Sequence, residues 1–590
     1  MDYEILEQTP EYKRILRDFD GDKLELWYRK GVPGKSLEEV EEARARGEVV
    51  HRFNYCPPLN PRSYEPEENI ICQQDVPCRL RDGATIYCDI YKPKYFEGRI
   101  PAILSWSMYG KRQSEGAQEW KLMGVPPQTV SKMAKFESAD PAYWCHKGYA
   151  IVNVDPRGVG NSEGDVETFS LQEGEDGYDF IEWLAQEEWC NGCIGMFGNS
   201  GVGMPIWRIA SCQPPHLTAI APWECTGDMY REGVCVGGIP SPKFNEGIIS
   251  GVACKNYILD FTKMLELHPN RDRFWDYVTP KWEKIKIPTY CCGGWAHFHL
   301  HGSIEGFRRI RSPKKWMRIH REFEWPDTYN RDNLADLTLF FDRYLKGVRN
   351  GWETTPKLRI DVMDSYDFDF RTRRVENEFP LARTEYKKLY LNAVDHTAGW
   401  EQPAQAAEVT YDPESEVTTF DFRFTELTEI TGFMKLRLWV ECRGHDNMDL
   451  FIWIKKLGQE GEYIPVRVMG EGYRGAWGYQ RTSCRELAKN ATDYQPIHTH
   501  QGEERMKPGE IFPVDIEIWP HSRIWHPGEY LRVEVGGRFV KTQWYEDEKL
   551  GFATDNGAGT HVIHTGGDYD SYLQIPVIPP KWTSGDFEVR

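Results

Sequence analysis

Residues 189–203 read Trp189-Cys190-Asn191-Gly192-Cys193-Ile194-Gly195-Met196-Phe197-Gly198-Asn199-Ser200-Gly201-Val202-Gly203. An apolar lead-in, a Ser among small residues and a helix-compatible run at 204–210 predict strand, sharp turn and helix, which is the geometry of a nucleophile elbow. Small neighbours are needed there because the nucleophile takes a strained backbone conformation in which extra Cβ atoms would collide with strand and helix. Ser200 would then stand at the carboxyl edge of a sheet, with the Gly201 N–H free to meet an oxyanion. The spelling departs from G-x-S-x-G: Val202 stands at the second Gly position and Gly203 follows one place later. The bland alternative is a Gly-rich βα turn carrying a structural Ser.

Outward from the elbow, short apolar runs at 102–106, 149–155, 217–222, 287–295 and 315–320 read as buried strands, and helical patterns fall at 176–185 and 334–345. That alternation predicts an α/β fold with a mostly parallel sheet. Residues 78–91 alternate around Asp82-Gly83, a hairpin signal. The segment 224–285, helical and rich in aromatics and Met, reads as a cap inserted over the site. From 356 to 590 the chain shows alternating strands punctuated by Gly, Pro and Asp, predicting an all-β sandwich. The first 70 residues are charged, and Ser36 with Glu39 forms a capping box, so they read as a helical extension. The expected domains are 1–70, 71–355 and 356–590, with 446–450 and 561–572 packed on the catalytic half.

The 590 residues carry a formal charge of −19, which repels phosphate and argues against nucleic acid as a partner. No apolar run is long enough to span a bilayer, and the first residues lack a basic segment followed by an apolar one, so neither membrane nor secretory export is expected. Fifteen Cys, an odd number, suit reduced thiols and a cytoplasmic setting. Cys190-x-x-Cys193 has redox or zinc-knuckle spacing, but no second pair stands near it and it reads as a structural turn.

The ordered motifs resemble those of the cocaine-esterase-like (CocE/NonD) hydrolases, relatives of X-Pro dipeptidyl-peptidases. They are Ser107-Met108-Tyr109-Gly110-Lys111-Arg112, Asp155-Pro156-Arg157-Gly158, Gly174-Glu175-Asp176-Gly177-Tyr178-Asp179, the elbow, Gly293-Gly294-Trp295 and His564-Thr565-Gly566-Gly567. The resemblance spans roughly 75–580 and implies an α/β-hydrolase domain with a helical cap, followed by a jelly-roll domain. It also implies Ser200 as nucleophile, with the Tyr109 hydroxyl and Gly201 N–H as the oxyanion hole.

In that family an Asp two residues after the Trp of Gly-Gly-Trp orients the catalytic His; here that place holds His297. Two assignments stand. In one, His320 is the base and a neighbour such as Asp327 its acid. In the other, the two loops exchange roles, and a His from 297–301 is the base with Asp327 orienting it. Alternate His297, His299 and His301 on an extended segment also admit a zinc reading with His320. A His-rich loop beside a Ser elbow is already explained by the hydrolase reading, so no metal and no cofactor are expected. Trp223-Glu224, Asp228 and Tyr230-Arg231-Glu232 at the cap entrance would bind an amine or fix the cap by ion pairs.

The leading function is a serine hydrolase that cleaves an ester or amide of a small, largely apolar acyl compound through an acyl-enzyme on Ser200. An acyltransferase or cyclising enzyme on the same scaffold, and a non-catalytic binder that has lost its Asp, are the alternatives. The partner is a small molecule; a homo-oligomer is allowed.

Overall fold

The computed structural model describes residues 3–48, 52–112, 124–126, 128–468, 471–473, 475–539 and 551–580. Seven strands run parallel in the spatial order Ala150–Asp155, Ile100–Trp106, Cys190–Asn199, Leu217–Trp223, Thr289–Gly294, Lys315–His320 and Leu358–Ser365. Ile100–Trp106 lies between the two strands that follow it in the chain. Connections therefore leave it in opposite directions, and such a switch point opens a crevice at the carboxyl ends of the strands. The elbow sits there. On the outer flank Thr85–Pro93 and Ile70–Arg79 add antiparallel, with Arg79 opposite Thr85, so Asp82-Gly83 closes the expected hairpin.

Every residue of Ala150–Asp155 and of Thr289–Gly294 is buried, as continuous apolar runs covered on both faces must be. Successive side chains enter opposite layers. Leu104, Val152 and Met196 pack with Phe180, Ile181, Ile206 and Ile209 of the helices Leu171–Leu184 and Ser200–Ser211. Ile103, Ile151 and Phe197 pack with Trp144, Phe340 and Phe341, the last two from the helix Arg331–Leu345. That helix is started by Asn330, whose side-chain oxygen accepts the N–H groups of Asp332 and Asn333.

The cap carries a π-helical turn at Tyr230–Val234 and helices at Lys243–Ser250, Phe261–Leu267 and Arg273–Tyr277. Its short strand Tyr257–Leu259 joins the N-terminal segment, which differs from the expected helical extension. Tyr3–Gln8, Tyr12–Phe19 and Asp22–Lys30 form an antiparallel meander, continued by Tyr257–Leu259; among the described residues of this segment the α-helix is Leu37–Ala45, begun by the Ser36–Glu39 capping box. The alternation in Tyr12–Phe19 is concealed because Arg17, counted as surface charge, points inward with Ile15 and Phe19. Its guanidinium reaches Gln172 at 2.7 Å and also the Glu167 carboxylate, which Tyr28 and Tyr277 share.

The C-terminal domain is two packed antiparallel sheets. Thr428–Arg443 pairs with Phe512–Trp525 on one edge and with Tyr572–Val577 and Thr560–Thr565 on the other. Val417–Arg423, Tyr530–Gly536, Asp449–Leu457 and Ala476–Arg481 make the second sheet. The last catalytic strand, Leu358–Ser365, also pairs with the sandwich at Met363 opposite Arg523. Within the segments expected to meet the catalytic half, Asp449 is bound to Arg481, and His561 to Tyr411, inside the sandwich. Contact between the halves runs through Phe451, Trp453 and Tyr479, which cluster with Ile239 of the cap, and through His498, whose carbonyl accepts from Arg231 at 3.0 Å.

Candidate active site

Ser200 has φ +50°, a left-handed conformation that L residues rarely hold. It is fixed from below: its N–H donates to the Glu224 carbonyl at 3.0 Å, and the Asn199 N–H donates to the Glu137 carbonyl at 3.0 Å. A Cβ on Gly201 would lie 2.2 Å from the Tyr109 hydroxyl oxygen, so only glycine lets that hydroxyl rest against the start of the helix. The same test resolves the elbow's spelling. A Cβ on Gly203 would press within 2.8 Å of the Trp223 carbonyl, so the close approach that demands glycine falls one residue later, and buried Val202 is accommodated. Phe53 of the N-terminal segment stacks on Tyr109 with centroids 3.8 Å apart and an interplanar angle of 14°.

Ser200, Gly201 and Tyr109 line one cavity of about 170 Å³. Its walls are mostly apolar: Met204, Phe244 and Phe298 from the catalytic half and its cap, Trp453, Trp477 and Phe552 from the sandwich. Among its described lining residues the imidazole is His299.

His320 and Asp327 lie behind the elbow and do not line that cavity. The Arg318 guanidinium grips Asp327 with two contacts of 2.6 and 2.5 Å, and Asn333 adds a third at 2.9 Å. His320 Nε2 is 3.3 Å from Asp327 Oδ2 and 2.7 Å from Glu224 Oε1, the latter within ion-pair range but off hydrogen-bond geometry. Burial works against charge on this imidazole, but Asp327, Cys292 and Glu224 overcome it and push its pKa well above the ordinary value. Asp327 is likewise buried, yet Arg318 and His320 hold its carboxyl below the usual range. These neighbours favour the charged form of the His320 imidazole over the neutral one.

The 297–301 loop is spread over three environments. His297 Nε2 lies 3.3 Å from Glu324 Oε1 and its Nδ1 3.8 Å from Glu224 Oε2; burial disfavours its cation, but Glu324 and Glu224 raise its pKa. His299 Nδ1 faces Glu324 Oε2 at 3.8 Å, and burial together with the neighbouring His297 lowers its pKa. Glu324 stays ionised: His297 and His299 outweigh burial and hold it well below the carboxylate range. His301 is clamped between Glu232 of the cap at 3.0 Å and Glu517 of the sandwich at 3.1 Å. Sequence reasoning named the 297–301 loop and Asp327 after Lys315–His320, but not the pair His299 and Glu324. The spacing of His297, His299 and His301 carries no signal that sorts them, since His297 and His299 both face Glu324 while His301 does not.

Two sets of buried donors could in principle hold a metal: Glu224, Cys292 and His320, and His297, His299 and Glu324, each within 4.8 Å of one another. The 2.7 Å between His320 and Glu224 is tighter than the edge of roughly 3.3 Å between ligands of a tetrahedral zinc at about 2.0–2.1 Å. Ion pairing accounts for both sets.

A doubly wound sheet with a strained Ser elbow at its switch point, facing a mostly apolar cavity, defines a hydrolase of the serine type. Comparison with known proteins agrees. Residues 82–257 match the X-Pro dipeptidyl-peptidase (S15 family) and residues 350–574 the X-Pro dipeptidyl-peptidase C-terminal non-catalytic domain. The crystal structure of a CocE/NonD family hydrolase from Staphylococcus aureus, SACOL2612, is similar with a TM-score of 0.82 and 35% identity, over 86% of this chain and 94% of that one. The cocaine esterase of a Rhodococcus strain is 22% identical, over 85% of this chain and 97% of its own. The Mycobacterium bovis protein Mb1866c is 32% identical, over 85% of this chain and 94% of its own. The chain belongs to the CocE/NonD hydrolase family.

Proposed function

We propose that the protein cleaves an ester or amide of a small, largely apolar acyl group through an acyl-enzyme on Ser200, with His299 as general base and Glu324 as its orienting acid. The observation that carries the reading is that Ser200, Gly201, Tyr109 and His299 line a single apolar cavity while His320 and Asp327 are tied up behind it.

His299 is held neutral, so it can take the Ser200 hydroxyl proton as Oγ attacks the substrate carbonyl. With Nδ1 turned toward Glu324, Nε2 is the nitrogen for that transfer. The 3.8 Å gap to Glu324 is loose, as catalytic contacts often are before substrate binds. Negative charge developing on the carbonyl oxygen meets the Tyr109 hydroxyl and the Gly201 N–H; one such donor is worth about 10²- to 10³-fold in rate. The imidazolium then protonates the departing alcohol or amine, leaving Ser200 acylated. In the second half His299 takes a proton from water, the hydroxide attacks the acyl carbon, and Ser200 regains its proton as the acid leaves. The loops have thus exchanged the family's usual roles, with the base after Thr289–Gly294 and the carboxylate after Lys315–His320.

Fluorophosphonate labelling tests this. Wild type and His320→Gln should label at Ser200, Ser200→Ala should not, and His299→Ala should label at least about 10²-fold more slowly. Equal labelling of wild type and His299→Ala, with loss in His320→Gln, would overturn the assignment of the base.

A further inference from the structure

A second cavity, of about 550 Å³, lies where the cap, the helix Leu300–Arg309 and the sandwich meet. It shares Glu232, Val236 and Tyr479 with the Ser200 cavity, and Glu232 is presented by the π-helical turn Tyr230–Val234. Its character is opposite. Charged and amide side chains dominate, among them Arg231, Arg308, Gln480, Gln495 and Glu517, with the indoles of Trp282 and Trp519. Most of the charges are already matched within the wall. Arg231 and Arg271 pair with Asp228, Arg308 with Glu305, and His301 with Glu232 and Glu517. Two further imidazoles are buried and uncharged, His498 with a pKa pushed down to about 4 by burial and His500 lower than usual for the same reason. His498 Nε2 and His500 Nδ1 are buried and without a hydrogen-bond partner among the described residues.

Arg309 also lines the chamber, and its carboxylate partner, Glu283 at 3.9 Å, stands outside the wall; the other charges leave little to attract a strongly charged ligand. The wall has many fixed donors and acceptors side by side. A neutral group with several hydroxyls, each both donor and acceptor, can engage carboxylates, guanidinium groups, amides and imidazoles at once without breaking an ion pair.

We propose that this chamber receives the leaving group of the substrate, and that the leaving group is a neutral polyhydroxylated alcohol of sugar type, its acyl part occupying the apolar cavity at Ser200. The inference rests on the hydrolase reading above. The chemistry is ordinary ester hydrolysis: the acyl carbon–oxygen bond breaks, the sugar hydroxyl takes the proton from His299, and water supplies the oxygen of the released acid.

The test compares two esters of one acid, methyl butanoate and glucose 6-butanoate, on the full-length protein and on Gln495→Ala and Asn490→Ala, two chamber residues outside the catalytic group. Wild type should show at least about tenfold higher kcat/KM for the glucose ester. Gln495→Ala should remove most of that preference, with methyl butanoate turnover within about twofold of wild type, and Asn490→Ala, on the chamber's outer loop, should reduce it less. Equal kcat/KM for the two esters in wild type, or equal losses on both esters in both variants, would overturn the chamber assignment. Methyl butanoate turnover and Ser200 labelling would survive that result, whereas absent labelling and no turnover of either ester would defeat the hydrolase reading itself.

Discussion

Two imidazole–carboxylate groups flank Glu224, and their difference decides the chemistry. Behind the elbow, His320 is wedged between Asp327 and Glu224, and Asp327 is in turn gripped by Arg318. At the cavity wall, His299 meets one carboxylate loosely and donates its backbone N–H to Nδ1 of the neighbouring His297 at 3.3 Å. Both sites are fully buried. What separates them is the number of opposite charges within reach: enough at His320 to make protonation the stable state, too few at His299 to overcome desolvation. A base must be empty-handed before it can accept a proton, so burial alone makes no catalyst.

The sharpest way to break this contrast is to delete each imidazole. His299→Ala should lower kcat by about 10³-fold with the thermal midpoint little changed, since general-base help is worth roughly 10²- to 10⁴-fold. Glu324→Gln should cost about 10² in kcat with KM nearly constant, less than the ~10⁴ lost when a tightly bonded triad Asp is neutralised, because its contact with His299 is long. Asp327→Asn should do the reverse. It leaves the Arg318 charge buried with half its partner gone, which destabilises by about 3–5 kcal/mol, seen as an earlier thermal or denaturant transition, while kcat per folded molecule stays within about threefold. If Asp327→Asn instead drops turnover at unchanged stability, the locked site is the catalytic one.

The smallest effect is a shift in a pH profile. A base whose pKa is held below the ordinary imidazole value stays neutral as pH falls, so the acid limb of kcat/KM should lie below about pH 6.5. Were His320 the base, its raised pKa would place that limb above pH 6.5, because it would already be protonated at neutrality. Measuring kcat/KM from about pH 4 to about pH 9 separates the two.

The sheet, the elbow and the sandwich could be read from sequence because period and glycine placement are local properties. Gly198, Gly201 and Gly203 announced a tight turn, and the structure shows what each avoids. The N-terminal meander was hidden by Arg17, whose inward turn depends on Glu167, 150 residues away. The proposed base was hidden for a related reason. His297, His299, His301 and His320 are chemically alike in sequence, and only the distances to Glu224, Glu324, Glu232 and Asp327, all far along the chain or across a turn, set them apart.

The cavity at Ser200 is closed on one side by Trp453, Trp477, Phe539 and Phe552. In the order of synthesis, Phe552 follows Ser200 by 352 residues, so the nucleophile leaves the ribosome long before its wall exists. At roughly 5–20 residues per second that interval is about 20–70 s. For that time the elbow can be folded and its serine strained, yet the chamber that would exclude water and select an acyl group is open. The wall that would select the acyl group is therefore complete only once the chain has been made through Phe552.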